Sequence, residues 1–248
     1  MRRDFRGKLC AYCAQVECAT RDHVFARGFF LERDRGNLPV APACARCNGR
    51  KSELELYLTS MLPFGGRHAQ AVEALQTGVP KRLENNRKLQ RQLQQAMEPA
   101  WVQEGSGLFL RTSTMPFDGE KLEDLLKYIA RGLTWHHWNA YIGPDYYVSV
   151  MFMSDTLGMA FQQIVRSWRV GARASSNIGQ GTVEYEGVQA ADAPGLTVWL
   201  IAAFGGVMLS DSRTRIAHRP AETSSRWWVI TGPPEIARQI EDLKATGR

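Results

Sequence analysis

Cys10-Ala11-Tyr12-Cys13 and Cys44-Ala45-Arg46-Cys47-Asn48 enclose Thr20-Arg21-Asp22-His23-Val24, and the reading of these three strings decides the fold of the N-terminal part of the chain. A Cys-x-x-Cys turn aims two thiolates at one point, which is half of a tetrahedral zinc site. Two such turns, with 30 residues between Cys13 and Cys44, make a four-cysteine clamp for a structural Zn2+. All five cysteines lie within the first 47 residues, a poor layout for a disulfide framework and one that fits a reducing compartment. Cys18, the fifth, reads as an idle or buried thiol.

The residues between the cysteine pairs carry different chemistry. Asp22 and Asn48 are hard oxygen ligands, suited to Mg2+ or Mn2+ and ill matched to a thiolate site. His23, beside one of them, is the side chain best suited to take a proton near neutral pH. Taken singly these are weak signals, since Asp-His is commonly a surface pair and Asn-Gly commonly a turn. In combination the order Cys-x-x-Cys, Asp22-His23, Asn37, Cys-x-x-Cys-Asn48, Lys51 resembles the HNH endonucleases of the ββα-metal type, in the subgroup clamped by zinc on four cysteines.

The resemblance covers residues 8–60, about a quarter of the chain. It implies that Asp22 and Asn48 hold a catalytic divalent ion, that His23 is the general base and that Asn37 holds the loop and orients that base. DNA is the implied partner, with RNA chemically close, and restriction or phage defence is the setting suggested by family analogy. Many relatives have proline three residues after the histidine, where this chain has Ala26; the departure falls in the loop leaving the strand and leaves the metal-binding and base positions intact. An inactive zinc-ribbon module that only binds nucleic acid is the alternative. Such a module has no need of a base beside two hard ligands.

Working outward, residues 52–62 read as a helix with a serine cap and acidic residues in its first turn, presenting Leu54, Tyr57, Leu58 and Met61 on one face. Asn48 then sits at or just before the helix start, and Arg46, Arg50 and Lys51 around it are candidate phosphate contacts. Residues 1–66 form the expected nuclease domain and 67–100 a helical connector, with helices over 68–75 and 81–97 broken at Thr77-Gly78-Val79-Pro80.

Residues 101–248 read as a separate α+β domain with a mainly antiparallel sheet and a role in regulation, target choice or homo-oligomerisation. Strands are expected over 108–112, 146–153, 183–188, 197–204, 207–210 and 226–231, with a hairpin turn at Phe204-Gly205-Gly206-Val207, and helices over 119–141, 156–168 and 234–243. Trp135-His136-His137-Trp138 reads as core and interface, because adjacent helical residues do not converge on one metal. Trp227-Trp228 reads as one buried and one edge residue.

Charge separates the two parts. Residues 1–100 hold 17 Lys+Arg and 10 Asp+Glu, and the remainder 14 and 15, so the whole formal charge of +6 comes from +7 in the first part against −1 in the second. This excess suggests a polyanionic partner for the first part, a basic solvated surface being the alternative. The longest near-apolar run, 196–209, falls short of the ~20 residues that span a bilayer, and no signal-peptide core is visible; a cytoplasmic protein is expected.

Overall fold

The structure is a computed structural model and describes residues 5–66, 68–103, 107–152, 166, 168–205, 216–218 and 226–246. Strand β1 (Thr20–His23) pairs antiparallel with β2 (Val40–Ala43), setting Asp22 opposite Ala41 and His23 opposite Val40. Two short 3-10 turns, Arg27–Phe29 and Glu32–Asp34, fill the connection between them. Helix α1 (Ala45–Gly65) follows β2 directly.

This helix starts seven residues before the expected position. Cys44 is its cap, the sulfur accepting the Cys47 amide at 3.4 Å, while Ser52 bonds one turn back to the Asn48 carbonyl at 2.8 Å. Asn48 is therefore inside the helix. The expected apolar face holds: Leu58 and Met61 are buried, and Leu54 and Tyr57 are half-buried.

The connector differs at its break. Helix α2 (Ala69–Asn85) runs through Thr77 to Pro80 without interruption, and the chain breaks at Asn86, whose side chain caps α3 (Arg87–Ala96). Pro80 forfeits one ladder bond, but Val79 is buried and Arg82 donates to the carbonyls of Thr59 at 2.8 Å and Gly28 at 3.4 Å. Packing outweighs the local breaker signal. Leu89 and Leu93 of α3 join Met61 in a small satellite core.

The second half is mixed α+β. Strands β5 (Tyr147–Phe152), β6 (Val170–Ile178), β7 (Val183–Ala190), β8 (Thr197–Ala203) and β10 (Trp227–Gly232) form a five-stranded antiparallel sheet in the order β5-β10-β8-β7-β6. Edge strand β6 escapes the sequence pattern because its inward positions are small residues such as Ala172 and Ala174. A second sheet joins β3 (Glu98–Gln103), β4 (Phe109–Thr114) and β9 (Ile216–His218), with β9 parallel to β3. β3 falls across the end of the expected connector. The expected hairpin at 204–207, strand over 207–210 and helix over 156–168 lie wholly or mostly outside the described residues.

Helix α4 (Gly119–Trp138) is capped by Asp118 and ends three residues before the expected position, with Asn139 following it in the left-handed region, φ 51°. Helix α5 (Glu235–Thr246) packs Ile236 and Ile240 against Met151 of β5, Ile230 of β10 and Val198 of β8. Trp227 is buried and Trp228 half-buried.

One hydrophobic core runs from the cysteine turns through α4 to the large sheet, so the charge break near residue 100 is no break in packing. Trp135 meets Phe5 edge-on at 5.4 Å, Phe25 stacks on Tyr185 at 5.5 Å, and Trp138 stacks on Trp199 at 4.7 Å. His136 Nδ1 lies 3.0 Å from the Val40 carbonyl and His137 Nε2 lies 3.0 Å from the Tyr185 hydroxyl. The Trp-His-His-Trp string is a joint between the two halves. Gly132 makes the close approach possible, because a Cβ there would sit 2.9 Å from Val24 and 3.3 Å from Tyr12.

Gly132→Val overfills this contact, and a loss of about 1–3 kcal/mol is expected in chemical denaturation despite the gain in helix propensity. Unchanged stability would show that α4 and the hairpin are not packed as described.

Candidate metal and catalytic site

The sulfurs of Cys10, Cys13, Cys44 and Cys47 lie within 4.8 Å of one another. Tetrahedral Zn–S bonds of about 2.3 Å set sulfurs roughly 3.8 Å apart, so this group can hold a zinc ion. Backbone amides converge on the sulfurs as well: those of Cys44, Cys13 and Tyr12 approach Cys10, and those of Gln15 and Val16 approach Cys13. Cys44 and Cys47 occupy the first turn of α1, where the helix favours negative charge. Burial, the Cys44 hydrogen bond and the neighbouring thiols push the Cys47 thiol well above its ordinary range. That crowding is what a bound divalent cation relieves. Cys18 stays outside the cluster, its thiol donating to the Phe5 carbonyl at 2.9 Å.

Beside the cluster lies a buried ionic network. Lys51, on the second turn of α1, is 0% exposed. Its ammonium donates to the His23 carbonyl at 2.7 Å, pairs with Asp22 Oδ2 at 3.0 Å and bonds Glu55 one turn along the helix. The Tyr12 hydroxyl donates to the same Asp22 oxygen, and the Lys51 ammonium stands 5.8 Å from the Tyr12 ring. Burial, followed by the Asp22 charge, raises the Tyr12 phenol well above its ordinary value, which keeps it a donor. Glu55 is raised by burial against the opposing pull of Lys51.

This placement corrects the reading of Lys51. A side chain with no exposed surface cannot reach a phosphate of a docked nucleic acid, and its charge is already engaged by two carboxylates. Arg46 and Arg50, by contrast, are exposed on the first turns of α1. Sequence reasoning also passed over Tyr12 and Glu55. The i, i+4 spacing of Lys51 and Glu55 was visible as a helical pair, whereas nothing in the sequence joins Tyr12 to Asp22.

His23 ends β1 and is half-buried. Burial, then the charges of Arg21 and Arg27, hold its imidazole below the ordinary value of 6.5, with Asp22 pulling the other way. The shift favours the neutral ring, which is the form that accepts a proton. Asn48 lies one turn before Lys51 on α1, half-buried, on the helix that meets β1. Asn37 is an exposed residue of the turn entering β2, with φ 55°, and among the described residues its side chain makes no hydrogen bond to His23. It shapes the turn, and the orienting role expected of it has no counterpart in these contacts.

An open cavity of about 320 Å³, bordered by Ser175, Asn177, Glu184, Glu186 and Arg226, shares none of these residues. No helix among the described residues is long and apolar enough to cross a membrane. Comparison with protein-family models, with curated proteins and with solved structures finds no match to this chain.

Two outcomes follow from the site. Purified protein should carry about one zinc per chain by elemental analysis, and Cys44→Ser should lose both the metal and the cooperative unfolding transition. Lys51→Met strands Asp22 and Glu55 without a counter-charge and should destabilise by about 3–5 kcal/mol, whereas Arg50→Ala should stay within about 0.5 kcal/mol. Equal, small effects of the two substitutions would refute the buried assignment of Lys51.

Proposed function

We propose that this chain is a divalent-metal-dependent endonuclease of the HNH type that hydrolyses DNA phosphodiester bonds. The observation that carries the reading is the juxtaposition, at the end of one strand, of the His23 imidazole and an Asp22 carboxylate held through a single oxygen by Tyr12 and Lys51. Tyr12 and Lys51 both meet Asp22 at Oδ2, and among the described residues no hydrogen bond engages Oδ1, which leaves that oxygen for a ligand.

In this reading Asp22 and Asn48 hold Mg2+ or Mn2+, and the four cysteines hold structural zinc. The divalent ion, when bound, supplies charge stabilisation for the departing 3′-oxygen. His23 takes a proton from water, whose oxygen forms the new bond to phosphorus as the bond to the 3′-oxygen breaks. Arg46 and Arg50 supply exposed positive charge for flanking phosphates, in keeping with the +7 of residues 1–100. The second half, sharing one core with this site, supports it as part of the same body.

The test is incubation of zinc-loaded protein with supercoiled plasmid in Mg2+ or Mn2+. Cutting is expected to require the divalent ion and to fall about 10²–10⁴-fold in His23→Ala. Cutting that persists in His23→Ala, or after removal of the divalent ion, would overturn the mechanism. Plasmid retention without any cutting in wild type would favour the inactive binding module instead, once an RNA substrate has also been tried.

A further inference from the structure

We infer that Tyr12 is a positioning residue for Asp22, through which the zinc-binding turn governs the divalent-ion site; the inference rests on the nuclease reading above. Tyr12 stands between Cys10 and Cys13, is 2% exposed, and its own amide approaches the Cys10 sulfur. Its ring is held edge-on to Tyr128 at 5.2 Å, so the direction of the hydroxyl is set by the turn and by α4 together. That hydroxyl donates to Asp22 Oδ2.

The arrangement has a chemical logic. A buried tyrosine hydroxyl needs a polar partner, and phenylalanine would fill the same space without that need. The partner is the carboxylate assigned to the divalent ion, and the contact is made to the oxygen already held by Lys51 at 3.0 Å. Two donors on Oδ2 fix the carboxylate plane, and among the described residues no hydrogen bond engages Oδ1. A ligating carboxylate oriented in advance binds its ion more tightly than one that must be ordered on binding. The zinc clamp therefore does more than hold the fold: its Tyr12 aims a ligand of the second metal.

The test uses the full-length, zinc-loaded chain titrated with Mn2+, reading free Mn2+ by its electron paramagnetic resonance signal. Asp22→Ala is expected to abolish the tight Mn2+ site. Tyr12→Phe is expected to weaken Mn2+ binding about tenfold, at wild-type zinc content and with a cooperative melting transition lowered by only several degrees. Tyr128→Phe, which removes a neighbouring hydroxyl not bonded to Asp22, is expected to bind Mn2+ as wild type does. Wild-type Mn2+ affinity in Tyr12→Phe, alongside its loss in Asp22→Ala, would overturn the positioning role and leave the nuclease reading standing. Mn2+ binding indifferent to Asp22→Ala would overturn that reading and this inference with it. Loss of zinc or of the fold in Tyr12→Phe would assign Tyr12 to the clamp itself and also overturn the inference.

Discussion

Four sulfurs from two turns that stand 30 residues apart lie within 4.8 Å of one another, and the order of the N-terminal part follows from that convergence. The β1–β2 pair has only four residues in each strand, too little to be stable alone. Drawing Cys10 and Cys13 onto the start of α1 closes the loop that contains the pair and joins it to a 21-residue helix. The binding free energy of a metal held by the four sulfurs would then become folding free energy. Position of the sulfurs at the helix N-terminus adds to this, since thiolates are favoured there.

Within that frame a single buried ammonium organises the polar side. Lys51 reaches from α1 to the end of β1, engaging the His23 carbonyl, Asp22 and Glu55. A buried charge is tolerated only when it is paired and hydrogen-bonded, and these partners satisfy it from three directions. The same contacts lock helix to strand. A residue that looks in sequence like one more surface lysine in a basic loop is the pivot of the candidate site.

The two halves of the chain differ in charge but not in packing. Gly132 lets α4 approach Val24 and Tyr12, and Trp135, His136, His137 and Trp138 fasten the helix to Phe5, Val40, Tyr185 and Trp199. Charge asymmetry reports on what the surface meets, whereas apolar contact decides which segments fold as one body. A boundary drawn from charge at residue 100 thus cuts through a continuous core.

The cysteine spacing, the apolar face of α1, the antiparallel character of the second half and the core and interface role of Trp135 to Trp138 were all legible in the sequence, because each rests on local spacing or periodicity. The start of α1, the continuity of α2 across Pro80 and the small-residue strand β6 were not, because tertiary packing overrode or masked the local signal. The cluster of cysteines and the identity of the candidate base and ligands belong to the sequence. That Lys51 is buried and that Tyr12 and Lys51 both meet Asp22 belong to the tertiary structure alone: residues 10 to 39 positions apart acquire a common environment only when knuckle, hairpin and helix close on one another.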